Sequence, residues 1–273
     1  SRTKIMFERE AFIQKGRKDF LNKKILFILP VIDAGGGANV IIDEAKCMQK
    51  MGVDVSIFNL SEYKYGFLEN YSHIDLPLIF RDPNELPKVA KSFDAVIASA
   101  NYSVPWLKPL RDLGLDLKLG YYVQGFEALM YPPDSKEYEQ AINSYTMIEG
   151  ISRFTKTQWT RVALLENIGV DAEVVGISAN IDLFRPRDMI PLGIKPVTIV
   201  AMVRPSSPYR NPEMTMEILG KIEKKYQDNV DIWLFGANNV HEVVDEKYLD
   251  FKWQQLGKLT QVQVASMMSK ADI

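Results

Sequence analysis

The sequence predicts an α/β protein with two doubly wound parallel sheets. Short apolar segments alternate with segments of helical periodicity, which is the pattern of β-α-β units. A glycine-rich loop directly follows the first apolar segment, and a Pro- and Arg-rich stretch at residues 186–195 separates two runs of this alternation. The 273 residues are enough for two domains.

Residues 1–23 precede the first predicted strand and are basic and periodic. They predict a helical extension that is interrupted near Gly16. Two interpretations remain open from the residues alone. The helix either docks on the rest of the protein or lies on an anionic membrane surface.

The first domain is predicted over residues 24–185. Residues 24–30 form a short apolar run after lysines, which is typical of a buried parallel strand. A helix is predicted over residues 40–51, ended by Gly52, and residues 53–60 alternate like a second strand. This β-loop-α-β order predicts a right-handed crossover in a parallel sheet.

The alternation continues through the rest of the first domain. Further strands are predicted at residues 93–98, 117–124, 149–152 and 172–177, and further helices at residues 138–147 and 156–168, the last closed by Gly169.

Residues 186–195 are predicted to be a linker, and residues 196–273 the first half of a second α/β domain. Its strands are predicted at residues 196–203, 230–236 and 252–256, and its helices at residues 213–226 and 262–270. The last three residues are expected to begin another buried strand.

Composition and charge exclude several classes of protein. The chain has 33 basic and 35 acidic residues, so its overall field does not favour nucleic acid. A single cysteine, Cys47, excludes a disulfide framework and a Cys-rich zinc site, and two histidines exclude a multi-histidine metal centre. No apolar run approaches the roughly 20 residues of a membrane span, so a cytoplasmic protein without a metal site is expected.

The first candidate site is the loop Gly35 to Gly37, between the first strand and its helix. Without Cβ atoms, a ligand phosphate or sugar can approach the backbone amides at the helix start. The dinucleotide pattern G-x-G-x-x-G fails because Val40 stands in its third place, and the P-loop lysine is missing. The residues alone leave open a tight turn that simply needs glycine.

A second candidate site follows the first strand of the second domain. Arg204 and Arg210 lie on either side of a short Pro- and Ser-containing loop, just before a predicted helix start. Two guanidinium groups in such a place are suited to bind a diphosphate. Lys258 follows another strand and is expected at the same sheet edge. The alternative is a set of solvated loop cations.

Residues 174–187, VVGISANIDLFRPR, resemble the V-x-P-N-G-I/V-D-x-x-x-F-x-P segment that joins the domains of retaining family 4 glycosyltransferases. Five residues match in order: Asn180, Ile181, Asp182, Phe184 and Pro186. Residues 121–135, 203–213 and 256–273 are similar to a branch containing bacterial rhamnosyltransferases and rhamnan-synthesis proteins. The resemblance covers most of residues 24–273.

The resemblance implies the GT-B fold, in which two Rossmann-like domains face a cleft, with the second domain incomplete in this chain. It implies a metal-independent, retaining transferase of the hexosyltransferase type that needs no cofactor besides its nucleotide-diphosphate sugar donor. The sugar suggested by the branch is rhamnose. The acceptor would be an oligosaccharide or lipid-linked glycan of the bacterial surface, and the location the cytoplasm, at the inner face of the cell membrane.

The resemblance also implies donor-binding residues. Arg204 and Arg210 stand where the superfamily has the basic pair that grips the diphosphate, which gives them a catalytic role. Gly35 to Gly37 match the first-domain loop that approaches the donor, and Lys258 would add a third positive charge.

The acceptor side is implied less completely. Gln124 and Glu127 match the branch segment V-Q-D-x-E, but Gly125 replaces its aspartate. Tyr131 is the aromatic residue best placed to contact a sugar. Asp33 and Glu127 are the candidates for an acceptor base, each also readable as structural or binding.

Two other functions remain open. A nucleotide-sugar epimerase uses the same two-domain fold, although this chain has little histidine for such chemistry. A non-catalytic nucleotide- or sugar-binding module is the other, and the missing aspartate at Gly125 favours it. A nicotinamide oxidoreductase is disfavoured by the broken glycine pattern.

Overall fold

The computed structural model describes residues 2–114, 117–185, 196–206 and 210–273. The chain divides into two compact units, Ser1–Ala179 and Asn180–Ile273. The predicted linker at residues 186–195 lies outside the described residues.

The first unit contains a parallel sheet of seven strands in the order β3-β2-β1-β4-β5-β6-β7. The strands are β1 (Lys24–Ile28), β2 (Asp54–Leu60), β3 (Leu78–Arg81), β4 (Ala95–Ala98), β5 (Lys118–Val123), β6 (Ser152–Thr155) and β7 (Glu173–Val174). The predicted parallel sheet is confirmed. The prediction missed β3 and placed β6 at 149–152, where Gly150 instead forms a turn at φ 70°.

Helices connect these strands. They are α1 (Arg2–Phe20), α2 (Gly36–Lys50), α3 (Lys64–Asn70), α4 (Leu86–Ala90), α5 (Lys108–Asp112), α6 (Lys136–Ser144) and α7 (Gln158–Ile168), with 3-10 helices at Ser61–Tyr63, Pro83–Glu85, Asn101–Leu107 and Glu127–Met130. Local signals fix several ends. The Ser135 and Thr157 hydroxyls cap α6 and α7, and Gly169 ends α7 at φ 75°.

Side chains alternate across the sheet and build a core on each face. Leu26 and Ile28 of β1 belong to one buried cluster, whereas Phe27 and Leu29 belong to the other. Helices cover both clusters, as the period of two along each strand requires in a doubly wound sheet.

The helix α1 runs without a break, so the predicted interruption at Gly16 is wrong. Gly16 is buried, and a Cβ there would lie 2.5 Å from the Met51 sulfur. The glycine therefore serves close packing on the end of α2, where the Arg17 Nε also donates to the Lys50 carbonyl at 2.7 Å. The end of α1 is docked, while Phe7 and Phe12 are 74% and 67% exposed.

The second unit has a parallel sheet in the order β10-β9-β8. Its elements are β8 (Val197–Met202), α8 (Pro212–Tyr226), β9 (Val230–Phe235), β10 (Gln254–Gly257) and α9 (Gln261–Met268), with 3-10 helices at Gln227–Asn229, Val240–Glu242 and Glu246–Tyr248. Asn211 caps α8, and Thr260 caps α9 in a capping box.

The last residues of the chain are hydrogen-bonded to β8 at the edge of this sheet. The Asp272 amide donates to the Thr198 carbonyl, and the Val200 amide donates to the Ile273 carbonyl, both at 2.9 Å. Residues 272–273 make these two hydrogen bonds without forming a further strand of the sheet, and Ile273 is 74% exposed, so the buried strand expected here stays a prediction.

Candidate functional site

The strand order places a topological switch point between β1 and β4 of the first unit. The chain leaves β1 toward β2 on one side, while β4 leads to β5 on the other. Ligands of open α/β sheets bind beyond the carboxyl ends of the strands at such a point. The loops that border it are residues 29–35 after β1 and residues 99–101 after β4.

The glycine loop lies at this edge and continues directly into α2. The helix begins at Gly36, so the predicted start at residue 40 is wrong. Gly35 has an extended backbone as N-cap and offers no side chain to the first amides. These amide groups have no partner within the helix.

Glycine is not needed here for a left-handed turn, because none of Gly35, Gly36 and Gly37 has a positive φ. A Cβ at Gly35 or Gly36 would meet no atom within 4 Å. The tight-turn interpretation therefore loses its physical basis. An open, side-chain-free surface beside unpaired amides is suited to a bound anion or sugar.

Gln124 lies against this loop. Its Nε2 donates to the Gly37 carbonyl at 3.1 Å, and its Oε1 accepts from the Lys156 ammonium at 3.0 Å. Next to it, a Cβ at Gly125 would meet no atom within 4 Å, so the space for the branch's aspartate is open.

Lys156 is a candidate that the sequence analysis missed. It directly follows β6 and carries a positive charge toward Gln124, next to the start of α2. Burial lowers the pKa of its ammonium group, and the charge of Glu44 opposes that shift. Glu44 is itself held by the hydroxyls of Tyr122 and Ser178, at 2.9 and 2.7 Å.

Glu127 is 6% exposed and sits under the loop that follows β4. Its Oε2 accepts from the Asn101 amide at 2.6 Å, and its own amide donates to the Tyr145 hydroxyl at 2.8 Å. Burial raises the pKa of the Glu127 carboxyl to about 7, with the Asn101 hydrogen bond opposing the shift. The Glu127 carboxyl is thus hydrogen-bonded to a backbone amide of the protein.

Two tyrosines, Tyr102 and Tyr131, lie near Glu127 and Asn101 at the switch point. The Asn101 Nδ2 lies 3.5 Å from the Tyr131 hydroxyl, and the Tyr102 hydroxyl donates to the Pro30 carbonyl at 3.3 Å. Tyr102 therefore bridges the two loops that border the switch point. Burial, followed by the charge of Glu127, raises the pKa of Tyr102 to about 12.

Asp33, the other candidate for an acceptor base, lies at the surface, as do both histidines of the chain. Asp33 is exposed on the loop after β1, and His73 is exposed after α3. The exposed His241 contacts Glu246 at 2.6 Å.

The basic candidates of the second unit share one sheet edge. Gly236 follows β9 at φ 105°, and a Cβ there would lie 2.9 Å from the Val203 carbonyl and 3.1 Å from the Arg204 Cγ. The Gly236 amide donates to the Gly257 carbonyl at 2.9 Å. Arg204 and Lys258 thus flank Gly236, the first half-buried and the second exposed.

Arg210 lies at the other end of the loop that follows β8. Its side chain is exposed, and its carbonyl accepts from the Ser206 hydroxyl at 3.4 Å. Residues 207–209 lie outside the described residues. The Asn211 side chain already accepts from the Met214 amide at 3.0 Å, so the start of α8 is partly satisfied, unlike that of α2.

The described residues provide neither a metal site nor a membrane-spanning helix. Across residues 2–114, 117–185, 196–206 and 210–273, no group of three His, Cys, Asp or Glu side chains is arranged to hold a metal ion. In those same ranges, none of the helices combines the length and apolarity that crossing a membrane requires.

No family model matches the chain, and no curated protein sequence matches it. Solved structures do. A glycosyltransferase from Rickettsia africae is 14% identical with a TM-score of 0.64, over 92% of this chain and 72% of that one. Anabaena Alr3699/HepE in complex with UDP and glucose is 14% identical with a TM-score of 0.63, over 92% and 73%.

A UDP-GlcNAc 2-epimerase from Neisseria meningitidis, bound to UDP-GlcNAc, is also similar. It is 10% identical with a TM-score of 0.53, over 91% of this chain and 75% of that one. These likenesses show that the chain has the GT-B fold, with its parallel seven-stranded and three-stranded sheets.

Proposed function

We propose that this protein is a glycosyltransferase that moves a sugar from a nucleotide-diphosphate sugar to a glycan acceptor. The observation that carries the proposal is the basic carboxyl edge of the second sheet, where Arg204 and Lys258 flank Gly236. The similar structures, one holding UDP and glucose, support this choice of substrate. The resemblance at residues 174–187 supports a retaining reaction, and its branch supports rhamnose and a bacterial surface glycan.

The proposed chemistry is stabilisation of the leaving diphosphate. Negative charge grows on the diphosphate as the bond to the sugar breaks, so fixed cations bind the transition state more tightly than the donor. Arg204, Arg210 and Lys258 supply those cations without a metal. The glycine loop Gly35–Gly37 would contact the donor with backbone amides.

The proposed acceptor residues belong to the first unit. Gln124 is held between the glycine loop and Lys156, and Tyr131 lies beside Asn101 at the switch point. Sugar hydroxyls are commonly bound by such amide and hydroxyl groups.

Two alternatives have specific support. The similarity to a UDP-GlcNAc 2-epimerase favours an isomerase on the same fold. The glycine in place of the branch's aspartate at Gly125 favours a binding module. An isomerase would convert the nucleotide sugar without any acceptor, and a binding module would leave it intact.

Thermal unfolding with added UDP, dTDP and GDP tests the donor site. Ligand that binds only the folded state raises Tm by mass action, so one diphosphate should shift it by several degrees. Arg204→Ala and Arg210→Ala should each reduce the shift, whereas Lys221→Ala, an exposed lysine of α8, should not. No shift with any of the three nucleotides would contradict the proposed donor site.

We further propose a cytoplasmic location with contact to the inner face of the membrane through residues 1–23. This segment has seven lysines and arginines against three acidic residues, in a chain whose net charge is −2. Phe7 and Phe12 are exposed among them. Basic and aromatic side chains together favour anionic lipid surfaces.

Vesicle co-sedimentation tests this contact. The protein should pellet with vesicles rich in phosphatidylglycerol and remain in solution with phosphatidylcholine alone. Phe7→Ser with Phe12→Ser should abolish pelleting, whereas Tyr65→Ser, at an 84% exposed tyrosine of α3, should not. If the protein is instead a dimer in solution, and the double Phe variant is a monomer, the exposed face of α1 is an interface between two copies of this chain.

A further inference from the structure

We infer that Glu127 is a positioning residue of the acceptor site, acting through the backbone of Asn101 on the tyrosines at the switch point. The inference rests on the proposed function in one respect, that the first unit binds the acceptor. It separates the role of Glu127 from that of an acceptor base.

The side-chain carboxylate and the backbone amide of Glu127 both form hydrogen bonds within the protein. Its carboxylate oxygen accepts from the Asn101 amide at 2.6 Å, and its amide is bound by the Tyr145 hydroxyl at 2.8 Å. With 6% of its surface exposed, the side chain has no free face for a substrate hydroxyl. A general base must reach the proton that it removes.

The group that Glu127 holds is the start of the 3-10 helix Asn101–Leu107. This turn follows β4 directly, and it is closed on its other side by the Ser103 hydroxyl, which donates to the Ala100 carbonyl at 2.7 Å. Because the Asn101 amide is the first donor of the turn, removing its acceptor frees the turn to shift. A buried amide left without a partner destabilises the turn that contains it.

The turn carries Tyr102 and brings its Asn101 side chain close to Tyr131, which follows the 3-10 helix Glu127–Met130. Tyr102, which is 48% exposed, reaches the Pro30 carbonyl, and the Asn101 side chain lies 3.5 Å from the hydroxyl of the half-buried Tyr131. Fixing Asn101 therefore fixes the positions of Tyr102 and Tyr131. These hydroxyls are the polar groups offered to a sugar acceptor.

The surroundings of Glu127 are aromatic. The titratable groups that face it are Tyr121 of β5, Tyr145 after α6 and Tyr102 of the turn. Tyr121 has a buried hydroxyl without a hydrogen-bond partner among the described residues. No cation in the described parts of the chain forms an ion pair with Glu127. The Asn101 amide donates to its carboxylate at 2.6 Å, and the Tyr121 hydroxyl and the Gln124 amide also lower the pKa of this carboxyl.

Glu127→Gln and Glu127→Ala distinguish positioning from proton transfer. Glutamine keeps a carbonyl oxygen for the Asn101 amide but cannot act as a base. A positioning role predicts that Glu127→Gln keeps kcat within about threefold, while Glu127→Ala raises the acceptor KM about tenfold and leaves the donor KM unchanged. A kcat loss of about a hundredfold or more in Glu127→Gln would make Glu127 a base and overturn the inference.

Hydrogen–deuterium exchange gives a readout that needs no activity. Glu127→Ala should speed amide exchange at residues 101–107, and Glu127→Gln should leave it as in the wild type. Unchanged exchange in Glu127→Ala would overturn the inference even if the protein transfers no sugar. If the whole wild-type chain binds none of UDP, dTDP and GDP while these exchange rates change as expected, the proposed function alone is contradicted.

Discussion

Replacing Glu127 with glutamine should make the unfolding free energy of the first unit depend less on pH. Burial raises the pKa of this carboxyl from its ordinary 4.5 to about 7, so the folded state holds the proton more tightly than the unfolded chain. Wild-type stability should therefore fall as the pH rises from about 4.5 to about 7 and then level off. Glutamine has no proton to lose, so this fall should disappear.

The size of the effect follows from the shift in pKa. At about 1.4 kcal/mol per pKa unit, a shift of about 2.5 units corresponds to about 3 kcal/mol of unfolding free energy. The group is almost fully buried, so solvent screening does little to reduce this value. The free energy of unfolding of Glu127→Gln relative to wild type should then increase by about that amount between pH 4.5 and 8.

Urea unfolding at several pH values measures this difference. A Trp233→Phe, Trp253→Phe background leaves Trp106 and Trp159 as reporters, both in the first unit. Glu149→Gln, at an exposed glutamate, serves as the matched control and should follow the wild-type curve. Curves for wild type and Glu127→Gln that stay parallel from pH 4.5 to 8 would refute the reasoning.

Three further substitutions test close backbone packing. Gly236→Val should lower the unfolding free energy by about 2 kcal/mol or more, because its φ of 105° is strained for any side chain and its Cβ would lie 2.9 Å from the Val203 carbonyl. Gly114→Ala, at φ 62° with open space around it, should cost only about 1 kcal/mol. Urea unfolding measures both losses, and equal losses would contradict the role of close packing at Gly236. Gly16→Leu should push α1 off Met51, which limited trypsin digestion would detect as faster cleavage in residues 15–23; an unchanged rate would count against the docked helix end.

Local patterns predicted the fold where a strand or helix end has its own signal. Short stretches of sequence are enough to predict the buried strand β1 from its apolar run and the end of α7 from Gly169. The edge strand β3 carries no such signal, because it is four residues long, only partly buried and ends in Arg81. The start of α2 at Gly36 was missed because glycine disfavours helices, although it is tolerated where amides are unpaired anyway.

The candidate site was predictable only in part, for a reason of chain topology. The position of Gln124 at the carboxyl end of β5 could be anticipated, since loops after parallel strands meet at one edge. Its partner Lys156 is 32 residues away, and Asn101 is 26 residues from Glu127. Such contacts depend on the spatial order of strands, and no local spacing encodes them.

Incubation with nucleotide-diphosphate sugars and a glycan acceptor, followed by analysis of both products, shows whether the protein transfers sugar to the acceptor. We expect nucleoside diphosphate to appear together with an extended acceptor. Arg204→Ala should slow the transfer about a hundredfold, as removal of a group that stabilises transition-state charge does. An isomerised nucleotide sugar formed without acceptor, or a bound donor that is never consumed, would contradict the proposed sugar transfer.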